Sequence, residues 1–138
     1  MRRPVLLIAA VSALVLAGTA VAGGWATVKL SSRPTGLSAG KTWVVDITVL
    51  QHGVTPLRGV KPTLTIRKVQ RTLSAATKGN PVARTFSTRA TARTGVYRAR
   101  VVFPSAGTWR YEVYDGFTQY GGARTHRFAA VTIARAGT

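Results

Sequence analysis

The chain has no cysteine, only three acidic residues, and no methionine after Met1. Without thiols there can be no disulfide framework, zinc finger, iron–sulfur cluster or thiol catalysis. The acids are Asp46, Glu112 and Asp115. A glycosidase pair or an oxygen-ligand metal cage would use nearly all of them, so carboxylate chemistry fits poorly. Helical patterning is also missing, because nowhere does a 3.6-residue apolar repeat persist. What remains is apolar and basic. The chain's 138 residues are 46% hydrophobic, which suits about one folded domain. Twenty Lys and Arg give a formal charge of +17, and fifteen of them are Arg.

The N-terminus reads as an address. Arg2 and Arg3 precede an apolar run over residues 5–17 that only Ser12 interrupts, and small residues follow down to Ala20-Val21-Ala22. A basic start, an apolar stretch and an A-x-A site predict a signal peptide over residues 1–22, with cleavage after Ala22. The alternative is a membrane anchor, since residues 5–22 just reach spanning length. Either reading places residues 23–138 outside the cytoplasm, secreted or anchored.

Those residues read as strands. Trp43, Val45, Ile47 and Val49 share one face, with Asp46 and Thr48 on the other. Tyr97, Ala99, Val101 and Phe103 oppose Arg98 and Arg100, and Trp109, Tyr111 and Val113 oppose Arg110 and Glu112. Further strands are expected over residues 26–30, 63–69, 82–92 and 128–133, with one helical turn over 73–77. Gly- and Pro-rich turns separate the strands, residues 115–124 are expected to form the longest Gly-rich loop, and 134–138 a frayed tail. About seven short strands at this spacing predict an all-β chain, an antiparallel β-sandwich behind an N-terminal signal helix. The strands flanking residues 104–107 are expected to pair as a hairpin. Their shared parity then requires a three- or five-residue loop. Glu112 would face Arg98 or Arg100, and Arg98, Arg100 and Arg110 would form one basic patch.

Two segments carry a family resemblance. The run Gly95-Val96-Tyr97-x-Ala99-x-Val101-x-Phe103-Pro104-x-x-Gly107-x-Trp109-x-Tyr111-x-Val113 resembles the YtkA-like/FixH-like extracytoplasmic domains. Pro34-x-Gly36-Leu37-x-x-Gly40-x-x-Trp43-x-Val45-x-Ile47-x-Val49 is similar to their opening strand. The resemblance spans roughly residues 25–133 and rests on structural positions. It implies an immunoglobulin-like sandwich and, for some relatives, a role in membrane-protein or copper-oxidase assembly. It transfers no copper ligands, because the chain has no Cys, no internal Met, and Gly23 instead of His at the expected mature N-terminus.

Chemical motifs are sparse. Residues 35–42 look superficially like a phosphate-binding loop, but three residues separate Gly36 from Gly40 where four are needed, and a strand follows instead of a helix. His52 and His126, the only histidines, are weak copper or zinc candidates and are read as loop or surface residues. No G-x-S-x-G elbow supports a small hydrolase. Trp43, Tyr97, Phe103, Trp109 and Tyr111 lie on apolar faces and read as core. Trp25, Phe117 and Tyr120 lie outside the alternation and are ligand-contact candidates. Arg98, Arg100 and Arg110 are the anion-binding candidates.

These readings converge on a secreted, non-enzymatic interaction or accessory module at the cell envelope, without cofactor or metal. Its expected partner is a protein or an anionic envelope component. Membrane contact would come through an uncleaved leader or the basic face, and no nucleic-acid motif is present. The alternatives are a copper-handling or oxidase-assembly accessory protein and a small hydrolase. N-terminal sequencing of exported protein is expected to begin at Gly23. Recovery of Met1 in the membrane fraction would make the chain an anchored domain instead.

Overall fold

The computed structural model describes residues 24–70 and 82–137. The expected signal helix over 1–22 and the helical turn over 73–77 lie outside the described residues. Within them the chain is all-β and antiparallel, with nine strands and a single 3-10 turn, Gln119–Gly121. The strands are β1 (Ala26–Leu30), β2 (Thr42–Gln51), β3 (Thr55–Pro56), β4 (Thr63–Lys68), β5 (Ala83–Ala90), β6 (Val96–Val102), β7 (Gly107–Tyr114), β8 (Thr125–Arg127) and β9 (Val131–Ile133).

The pairing order is β1-β2-β6-β5-β4-β7-β8, with β3 on β2 and β9 on β7. This makes one continuous sheet folded over on itself. The fold line is β5: Ala83 to Ser87 pair with β4, and Thr88 to Ala90 pair with β6. Of the strand expected over 128–133 only Val131–Ile133 forms, as β9; β8 precedes it at Thr125–Arg127, and the two share one edge of β7. Ala134 is not frayed. It bridges Ser38 in parallel, accepting from the Ala39 N–H and donating to the Leu37 carbonyl.

The expected hairpin does not form. β6 pairs with β2 and β5, whereas β7 pairs with β4, β8 and β9. Residues 103–106 instead carry the chain across the core from one layer to the other. Shared parity does not make β6 and β7 neighbours, for a geometric reason. Two strands facing each other across a core both point their apolar residues inward, as two paired strands do. Alternation reports the buried face and not the neighbour. The corner is held by side chains: Trp109 Nε1 donates to the Ser105 carbonyl at 2.9 Å, and the Phe103 and Trp109 rings meet edge to face at 5.6 Å.

The core is the alternation made three-dimensional. Val45, Ile47, Val49, Ala99, Val101, Trp109 and Val113 are fully buried or nearly so, as their parity predicts. Trp43 joins Phe103 to Tyr111, and Tyr111 stacks on Phe128, so a file of rings ties the two layers. The polar ends of these aromatics are satisfied. Trp43 Nε1 donates to Ser32 Oγ at 2.9 Å, and the Tyr97 hydroxyl donates to the Leu57 carbonyl at 2.6 Å.

Trp43 is 5% exposed, Trp109 0% and Trp25 43%. Truncating Trp43 or Trp109 to Ala should therefore cost about 3–5 kcal/mol, and Trp25→Ala much less. Chemical denaturation of the three variants measures this, and equal small losses would contradict the assigned core.

Candidate functional site

The alternation that buries Tyr97, Ala99 and Val101 leaves Arg98 and Arg100 on the outer face of β6. On one side Asp46 of β2 is the register partner of Arg98, and on the other side Arg89 of β5 is. Two arginines directly opposite each other repel and weaken a sheet. Asp46 relieves this by taking Arg98 in a two-pronged pair, accepting from Nε at 2.8 Å and from Nη2 at 3.2 Å. The Arg98 hydrogen bonds hold the Asp46 carboxyl below its ordinary value, with the charges of Arg98 and Arg93 acting the same way against a desolvation cost. The same hydrogen bond raises the Arg98 pKa.

A groove of about 850 Å³ runs along this face between β5 and β6. Four guanidinium groups line it, those of Arg89, Arg93, Arg98 and Arg100, and Asp46 is its only acid. Arg93 reaches it from the β5–β6 turn, which Thr91 fixes by accepting from the Arg93 N–H and donating to the Val96 carbonyl. Phe86 adds an apolar wall.

The structure divides the three arginines expected to act together. Arg98 and Arg100 line the groove, whereas Arg110 lies on the other layer, in register with Arg67 of β4. Glu112 is likewise not opposite Arg98 or Arg100. It faces Thr65 and Arg127, with its carboxylate 3.1 Å from Arg67 and 3.8 Å from Arg127. Arg110, Glu112, Arg127 and Phe128 border a separate hollow of about 290 Å³. Sequence reasoning missed Arg89 and Arg93 as members of the groove. One signal was present: with Phe86 and Thr88 turned partly inward, Ser87 and Arg89 must face out. The pairing partner of β5 was not legible.

The remaining candidates gather at the end of the molecule where β1 begins. Phe117 does not belong to an exposed contact patch. It is 2% exposed and part of the core cluster. Tyr120 lies over it edge to face at 6.3 Å and is itself 76% exposed. The Trp25 ring packs 4.9 Å from that of His52. His126 has a different setting, with Nε2 2.8 Å from Asp115 Oδ2. Asp115 is the one buried charged residue among the described residues. It also accepts from the Phe117 N–H at 2.9 Å and the Arg124 N–H at 3.2 Å, which cinches the 115–124 loop. Each histidine thus has its own partner, and among the described residues no three His, Cys, Asp or Glu converge.

Comparison with models of known protein families and with curated proteins returned no match. The local geometry around Asp115 gives a direct expectation. Asp115→Ala would strip two inward-facing N–H groups of their acceptor, at about 1–3 kcal/mol each. Denaturation of that variant should show a loss in this range or above, and loop residues 116–124 should lose amide protection. A near-neutral result would mean the carboxylate does not hold the loop.

Proposed function

We propose that the chain is an extracytoplasmic, non-enzymatic β-sandwich of immunoglobulin-like type that binds a phosphate-bearing anionic chain along the β5–β6 groove. The observation that carries this is the convergence of Arg89, Arg93, Arg98 and Arg100 on one groove whose only acid is already engaged by Arg98. Guanidinium forks match phosphate oxygens two at a time, and several in one groove reward a ligand that repeats its charge. The YtkA-like/FixH-like resemblance and the leader-like N-terminus support the location. The separate partners of His52 and His126 favour this reading over a copper-handling one.

Soluble inorganic polyphosphate is the probe, titrated by calorimetry at 0.15 M salt. Replacing Arg89 and Arg100 together by Ser is expected to weaken binding by about tenfold or more, in line with the strength of charge-assisted hydrogen bonds. The control pair, Arg84→Ser with Arg110→Ser, removes the same charge elsewhere and should have little effect. Equal losses in both would mean that net charge acts diffusely, and the groove would be abandoned.

Asp46 supplies a second readout. Asp46→Asn frees Arg98 and should tighten polyphosphate binding. Acidification should do the same, because Asp46 stays charged down to a pH below its ordinary value of 3.8 and loses its hold on Arg98 only as pH falls through that lowered value. Its contribution to folding follows the same sign, present above the ordinary value and lost on that descent. Affinity that is flat through this acid range in the wild-type chain, and unchanged in Asp46→Asn, would show that Asp46 does not compete for the groove.

A further inference from the structure

A second surface is built at the end of the fold where the described chain begins. Trp25, Val54 and Tyr120 are three of its large exposed apolar side chains, with Val54 at 78% and Tyr120 at 76% exposure. They come from three separate segments and share this end by construction. The Trp25 carbonyl accepts from the His52 N–H, and the Val54 N–H donates to the Gln51 carbonyl, so the β2–β3 turn lies beside Trp25. On the other side Gly24 packs on the 3-10 turn so closely that a Cβ there would stand 2.7 Å from that of Tyr120. Basic residues rim the same end. Arg58 bonds Thr94 beside the β5–β6 turn, Lys61 packs its backbone on Gly116, and Arg124 caps the loop held by Asp115. The only acid at this end, Asp115, is buried.

The geometry points to this end as the face the protein lays against an anionic lipid bilayer, with Trp25, Val54 and Tyr120 entering the interfacial layer. The occupant follows from the sequence. In the anchored alternative, on which this inference rests, the spanning-length stretch over residues 5–22 stays attached and ends three peptide steps before Trp25, at most ~11 Å away. A run of that length and composition partitions into a bilayer, and it would bring this end of the fold to the membrane first. Trp and Tyr are the side chains that settle at the headgroup level, where an apolar ring and a polar tip are both satisfied. The basic rim complements acidic headgroups, and its pull fades with salt. This surface is distinct from the β5–β6 groove.

The test places a reporter at each position. The full chain is reconstituted in phosphatidylglycerol/phosphatidylcholine vesicles with or without bromine in the lipid chains, which quenches nearby indoles. Trp43 and Trp109 are buried and serve as internal references. In a Trp25→Phe background, Val54→Trp and Tyr120→Trp should each add fluorescence that brominated lipid quenches by at least half. Val82→Trp, at the opposite end of the fold, should be unaffected. All three added positions are exposed, so the core is left intact. Quenching of native Trp25 without quenching at 54 and 120 would show mere tethering and overturn the proposal. Equal quenching at 82 would overturn it as well. The polyphosphate titration reads a different surface, so either proposal can fail while the other stands.

Discussion

Everything outward-facing in this molecule depends on the file of aromatic rings that joins its two layers. Trp43 comes from one layer, Trp109 and Tyr111 from the other, and Phe103 from the corner between them. Their contact fixes the depth of the core and therefore the facing of every strand that contributes to it. Once Tyr97, Ala99 and Val101 are committed inward, Arg98 and Arg100 have only the outer face left. The basic groove is in this sense a by-product of hydrophobic burial: Arg89, Arg98 and Arg100 are held on the sheet, and Arg93 alone comes from a turn.

The three carboxylates mark how a chain with +17 formal charge keeps its surface from repelling itself apart. Asp46 relieves the arginine pair between β5 and β6, Glu112 lies between Arg67 and Arg127 on the other layer, and Asp115 is spent inside, on backbone N–H groups and His126. Two of the three are exposed enough to be screened, and such pairs contribute little to stability. Their value is local. Asp46 and Glu112 each determine which neighbouring guanidinium is paired within the fold.

The strands and their buried faces were legible because period-2 alternation is a local signal. Residues 26–30 and 43–50 match β1 and β2 closely, and Trp43, Trp109 and Tyr111 are buried as read. Strand partnership was not legible, since it depends on residues distant in sequence. Arg110 was therefore grouped with Arg98 and Arg100, although β6 and β7 lie on different layers, and Arg89 and Arg93 were left out. Phe117 misled for a related reason. It lies in a loop with no alternation to declare its facing, and the turn held by Asp115 points it inward. The two-residue β3 carries too little pattern to be seen at all.

The parallel bridge between Ser38 and Ala134 has a consequence for the order of events during synthesis. It joins a residue near the start of the folded region to one near its end. β9, just before it, supplies Val131 and Ile133 to the core. Neither seam can close until β9 and Ala134 have left the ribosome. Topologies dominated by such distant pairings assemble slowly, on the scale of milliseconds to seconds. Until both seams have closed, the barrel-like wrap stays open along that edge, however well the earlier strands have paired.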